Sequence, residues 1–103
     1  MRNALVAWSK TLANEVAADG VTANIIVPGR IDTERVRMTD AAVAAKEGIT
    51  IDEAQRRSTS TIPLGRYGAT NEIGALAAFL ASVPAAYMTG ATVRCDGGII
   101  RSV

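Results

Sequence analysis

The sequence contains no histidine, a single cysteine and few aromatic residues (4%) across its 103 positions. Without histidine, a Ser-His-Asp triad and a His-ligated zinc site are excluded within the chain. The lone thiol, Cys95, forms neither an internal disulfide nor a metal cluster. No apolar run reaches the ~18 residues that a membrane span needs. Met1-Arg2 and the apolar residues after them look at first like a signal peptide, but Ser9 and Lys10 interrupt too early, and helical periodicity continues past them. The net charge is +1 with no basic stripe, which argues against nucleic acid as a partner. The expectation is a soluble cytoplasmic protein with no metal and no membrane contact.

What is abundant is small and apolar. A chain of this length makes one modest domain and buries ~65% of its unfolded surface. A hydrophobic fraction of 49% is high for that size, so some apolar surface is expected to face a partner.

The most informative stretch runs from Val21 to Thr33. Val21-Thr22-Ala23-Asn24-Ile25-Ile26-Val27 is β-branched and nearly continuously apolar, as in a parallel strand covered on both faces. Pro28 has no N–H for a ladder and ends the strand. Gly29 allows either a positive φ or a close backbone approach. Asp32 and Thr33 are both good helix N-caps. Ligands of open α/β sheets bind beyond the carboxyl ends of the strands, and free N–H groups at a helix start favour phosphate. The loop Pro28–Thr33 is therefore the first candidate binding surface; on these residues alone, a plain strand-to-loop turn is the equal alternative.

Around this stretch the spacing predicts a helix over 3–18, with Leu5, Trp8, Leu12 and Val16 as its apolar stripe and Gly20 as a left-handed stop. Residues 34–61 carry nearly half of the charged residues. Thr39 is expected to cap a short helix ended by Gly48, and Thr50-Ile51-Asp52-Glu53 is a capping box for another helix to about Arg57. Such a polar insertion reads as a mobile lid or as a solvated connector. A helix over 70–82 places Ile73, Leu76, Ala77 and Leu80 on one face, and a short strand follows over 91–95. Strand, helical crossover, strand makes the two strands parallel neighbours. Two strands are fewer than the ~5–6 of an ordinary sheet, so strand 21–27 is expected to keep a bare apolar edge. Matching charges suggest that Arg66 pairs with Asp96.

The ordered blocks resemble the short-chain dehydrogenase/reductase family, in particular members similar to 3-oxoacyl-[acyl-carrier-protein] reductase. Those blocks are Ser9-Lys10-Thr11-Leu12-Ala13-Asn14-Glu15 in the first helix, Asn24 through Thr33 as Asn-x-x-x-Pro-Gly-x-Ile-x-Thr, Ile62-Pro63-Leu64-Gly65-Arg66 with Glu72-Ile73, and Tyr87-Met88-Thr89-Gly90 through Asp96-Gly97-Gly98. The resemblance covers essentially the whole chain. It implies an α/β fold: the C-terminal part of a Rossmann-type doubly wound parallel sheet, one partial domain over 1–103.

The resemblance also implies an oxidoreductase that moves a hydride between the nicotinamide of NAD or NADP and a carbonyl or alcohol substrate. Pro28 and Gly29 would shape the nicotinamide loop, Ile31 would offer backbone groups to the carboxamide, and Thr33 would offer a hydroxyl. Residues 34–61 would be the substrate lid, and helix 3–18 with strand 91–95 would make homo-oligomer contacts. Spacing from Leu5 and Leu12 puts Arg2 at the lysine of the family's Tyr-x-x-x-Lys motif, with the tyrosine falling before Met1; a solvated Arg2 is the alternative. No Tyr-x-x-x-Lys occurs in the 103 residues. The chain alone is therefore expected to be inactive, and a non-catalytic fragment acting only in subunit association is the alternative function.

Overall fold

A computed structural model describes residues 2 to 102. The elements are α1 (Arg2–Val16), a 3-10 turn (Ala17–Asp19), β1 (Ile25–Pro28), α2 (Glu34–Glu47), α3 (Ile51–Thr59), α4 (Thr70–Leu80), a second 3-10 turn (Val83–Ala85) and β2 (Thr92–Cys95).

β1 and β2 are paired in one sheet. The Ile25 N–H donates to the Ala91 carbonyl at 2.9 Å, and the Gly29 N–H donates to the Cys95 carbonyl at 3.0 Å. Donor and acceptor advance together along the chain, so the strands are parallel, as the helical crossover between them predicts. β1 is shorter at its start than the expected 21–27, because local bonds take the place of a ladder. The Ala23 N–H donates to Thr89 Oγ1, and the Asn24 side chain holds both the Met88 carbonyl and the Ala91 N–H. Pro28 ends the strand as its last member rather than lying just beyond it. Residues 25 and 29 send their N–H groups toward β2, so position 28 faces the other edge. There proline's missing donor costs no ladder bond and blunts an edge that pairs with no described strand.

The chain forms two compact units. The first comprises the stretch through Val27 with Gly74–Arg94. Its helix α1 gives way to the 3-10 turn after Val16 and stops at Gly20, whose φ of 72° is left-handed as expected. Ser9, Ala13 and Ala85 are buried here, whereas Leu5 and Trp8, half of the expected apolar stripe, are 54% and 63% exposed.

The second unit comprises Pro28–Ile73 with the stretch from Cys95. α2 and α3 pack on each other, with Ala44 and Ala54 buried. The cap of α2 is Thr33 rather than Thr39, so one helix of 14 residues replaces a shorter one. Thr39 lies mid-helix and returns its hydroxyl to the Arg35 carbonyl. Gly48 closes α2 in the left-handed region, as expected. Thr50 accepts the Glu53 N–H at 3.1 Å, which is the forward half of the capping box. α3 then runs on to Thr59, because Thr59 and Ser60 bond back to carbonyls of their own helix instead of breaking it.

No large side chain among the described residues is fully buried. The apolar content of the sequence goes largely to the surface, where Met38, Leu64, Val83 and Tyr87 are also exposed.

Candidate functional site

The loop leaving β1 is held from three sides, all within the second unit. Gly29 comes first. Its φ is not positive, so space is what requires glycine here. A Cβ at this position would stand 2.6 Å from Asp96 Cα and 2.7 Å from Asp96 Cβ. Asp96 is itself fixed: its carboxylate accepts the Gly98 N–H at 2.9 Å and the Ile100 N–H at 3.2 Å. This corrects the expected Arg66–Asp96 pair. Asp96 is occupied by backbone donors of its own turn. Arg66 instead grips Glu72 through two bonds, 2.7 and 3.0 Å.

The second hold is a parallel bridge between Ile31 and Gly68. The Gly68 N–H donates to the Arg30 carbonyl at 2.9 Å, and the Asp32 N–H donates to the Gly68 carbonyl at 2.8 Å. Gly68 thus uses both of its groups, while Ile31 uses neither of its own among the described residues. In such a bridge the N–H and C=O of the middle residue point to the opposite side. Ile31 therefore presents one donor and one acceptor, side by side, away from the protein bond that positions it.

The third hold is helical. Thr33 Oγ1 accepts the Val36 N–H at 3.4 Å and caps α2. With its oxygen so used, the hydroxyl keeps its proton to give elsewhere. The start of α2 is not the bare phosphate cradle expected from the sequence. Asp32 and Glu34 flank Thr33, and only Asp32 has an ion-pair partner among the described residues, Arg37 at 3.1 Å. Two carboxylates at a helix start compete with an incoming phosphate.

Two further residues organise the site, and neither stood out in the sequence. Arg30 sends Nη1 to the Ser58 carbonyl at 2.7 Å, to Ser58 Oγ at 3.1 Å and to Thr61 Oγ1 at 2.9 Å. It ties the loop to the end of α3. Tyr67, next to Gly68, is buried and donates its hydroxyl to the buried Asp40 of α2 at 2.7 Å. Burial pushes the Tyr67 phenol up from its ordinary range. The available signal was chemical: a tyrosine inside a glycine-rich turn and an aspartate inside a helix. Each needs a polar partner once covered.

Beside these residues lies a cavity of about 510 Å³ under α2 and α3, with Met38, Ile51 and Tyr67 among its walls. Among the described residues no three potential metal-ligating side chains converge. Of the site residues expected from the sequence, Pro28, Gly29, Ile31 and Thr33 lie together on this loop. Arg2 begins α1, and its side chain lies outside the described residues.

The sequence matches, over residues 1–100, the family described as Enoyl-(Acyl carrier protein) reductase. The chain belongs to this short-chain dehydrogenase/reductase family. It is 38% identical over all 103 residues to the NADPH-dependent reductase BacG of Bacillus subtilis, covering 40% of that protein. It is 40% identical over 98 residues to the 3-oxoacyl-[acyl-carrier-protein] reductase FabG of Haemophilus influenzae, covering 95% of this chain and 36% of that one. Among solved structures, the L-sorbose reductase of Gluconobacter frateurii, complexed with NADPH and L-sorbose, superposes with a TM-score of 0.91 at 29% identity. That match covers 98% of this chain and 39% of the other. The chain thus spans about two-fifths or less of the length of these relatives. Its two parallel strands and flanking helices are those of a short-chain Rossmann-type α/β fold.

Proposed function

We propose that this chain supplies the nicotinamide-side loop and the substrate-side helices of an NAD(P)H-dependent short-chain reductase, corresponding to the C-terminal part of the relatives it matches. The observation that carries this reading is the pair of unused backbone groups on Ile31. A carboxamide needs one acceptor for its N–H and one donor for its C=O, and Ile31 offers both from a single residue. The bridge to Gly68 holds them in place before any ligand arrives, which lowers the cost of ordering on binding. Thr33 adds a hydroxyl proton for an acceptor oxygen of the cofactor. Pro28 and Gly29 set the corner, and Asp96 packed on Gly29 keeps it from shifting. When bound, the nicotinamide supplies or takes the hydride; this chain's part is to bind and orient it. The relatives named as NADPH-dependent or complexed with NADPH support the cofactor class.

α2 and α3 form the substrate-side cover. The family's tyrosine and lysine pair has no counterpart in the motif form Tyr-x-x-x-Lys within these residues, and in this reading Arg2 is assigned to the lysine's place. A proton donor to the carbonyl oxygen is thus not supplied by this stretch. The exposed apolar residues of α1, with Trp8 foremost, favour a homo-oligomer in the same protein. They also keep a second reading in view, in which the chain serves subunit association alone.

Nuclear magnetic resonance with NADPH separates the two. Cofactor binding is expected to shift the amide signals of Ile31, Thr33 and their neighbours before those of α1. A titration that leaves the loop signals unmoved up to millimolar NADPH would sink the cofactor reading and leave association.

A further inference from the structure

We infer that the cavity under α2 and α3 selects its carbonyl substrate by charge, favouring a cationic amino group over a carboxylate, with Asp40 as the specificity-determining residue. Its polar wall holds three carboxylates, Asp32, Glu34 and Asp40, against one guanidinium, Arg37. Arg37 is committed to Asp32 at 3.1 Å on the exposed rim. Glu34 and Asp40 have no ion-pair partner among the described residues.

Asp40 carries the most weight. It is only 7% exposed, yet just one of its oxygens, Oδ2, receives a protein hydrogen bond, from Tyr67. No fully enclosed side-chain oxygen or nitrogen among the described residues lacks a partner. Oδ1 is therefore not fully enclosed, and Asp40 lines the cavity. A carboxylate in such a place is costly unless something pairs with it. An ammonium supplies both the charge and the N–H; a substrate carboxylate meets repulsion from Asp40 and, at the rim, from Glu34. Tyr67 holds the Asp40 carboxylate through the 2.7 Å bond to Oδ2, so the group is positioned before the ligand enters. The remaining wall, with Met38 and Ile51, is apolar and suits a hydrocarbon spacer.

That the occupant is a carbonyl compound rests on the reductase reading; the preference for positive charge does not. The test uses three ketones of one shape: 4-(aminomethyl)acetophenone, 4-(hydroxymethyl)acetophenone and 4-acetylbenzoate. Each is titrated into the isotope-labelled chain at neutral pH and low salt, and amide shifts are followed at Asp40, Gln55 and Tyr67. The expected dissociation constants rise in the order ammonium, alcohol, carboxylate, with the ends at least about tenfold apart, the worth of one hydrogen bond to a charged group.

Asp40→Asn keeps an acceptor for Tyr67 and should reduce the end ratio severalfold. If its spectrum loses dispersion, Glu34→Gln at the exposed rim removes a charge without touching the buried pair, and should reduce the ratio severalfold. Carboxylate binding as tight as ammonium binding overturns the inference, and so does an end ratio that Asp40→Asn leaves unchanged in a folded protein. The NADPH titration reads the loop separately. An unmoved loop with the charge order intact refutes the cofactor reading alone; a moved loop with the order lost refutes this one alone.

Discussion

Gly29 shows how a single missing methyl shapes the site. Its conformation is open to any residue, yet an added Cβ would fall within 2.7 Å of two Asp96 atoms, one of them backbone. Gly29→Ala is expected to lower the stability of the folded chain by ~1–3 kcal/mol through overpacking, read as a lower urea midpoint. A midpoint equal to that of the parent would mean that the Asp96 turn yields freely. Thr33 caps α2 and, in the function proposed, donates to the cofactor; one substitution can separate the two. Thr33→Asp keeps the cap on the Val36 N–H, so stability should stay within ~0.5 kcal/mol. It removes the hydroxyl donor and adds a negative charge, so NADPH should bind about tenfold more weakly. Unchanged affinity would leave Thr33 a cap and nothing more. The identities of Gly29, Ile31 and Thr33 as loop residues were legible from the order strand, Pro-Gly, cap. That the backbone groups of Ile31 stay unbonded was not, because a backbone group's freedom depends on which distant residue, here Gly68, takes its neighbours.

At the scale of elements, α4 is secured at its start by a side chain rather than by a hydroxyl cap. Glu72 reaches back to the Ala69 N–H at 2.8 Å and holds Arg66 with both oxygens. The Arg66 guanidinium, and then the Ala69 amide, lower the Glu72 carboxyl to about 2. A carboxyl lowered on folding adds stability above its ordinary range near 4.5; that contribution fades as pH falls toward about 2. Both side chains are exposed, so the effect is small and weakened by salt. Glu72→Gln should therefore flatten the fall in urea midpoint between pH 4.5 and 2 at low ionic strength. Parallel pH curves for the two proteins would show that the pair contributes nothing measurable. Glu72 in the first turn was readable from the sequence, as was the forward half of the α3 capping box. The pairing of Arg66 was misjudged, because charge alone does not reveal that Asp96 is already saturated by N–H groups of its own turn. Element starts deviated where polar side chains competed with the backbone, as Asn24 does ahead of β1 and Thr39 within α2.

For the whole molecule, the exposed α1 face and a β1 edge that pairs with no described strand mean that the described residues leave apolar surface in water. The purified chain is expected to oxidise no NADPH with any ketone, because it offers no tyrosine-lysine pair to protonate a carbonyl. Turnover that persists through repurification, and that Asp40→Asn or Thr33→Asp alters, would overturn this.

The residue pattern by itself determined the family, the parallel pair of strands and the Pro-Gly corner. The strands and the corner follow from local preferences: β-branched runs, a proline without a donor, caps at fixed spacing; the family rested on the resemblance of the ordered motifs. Only the tertiary structure decided that Gly29 answers to Asp96, that Gly68 leaves the backbone of Ile31 unbonded, and that Tyr67 holds Asp40 beside a cavity. Each of those depends on groups 27 or more positions apart meeting within a few ångströms, and no local preference encodes which of many compatible partners the folded chain brings together.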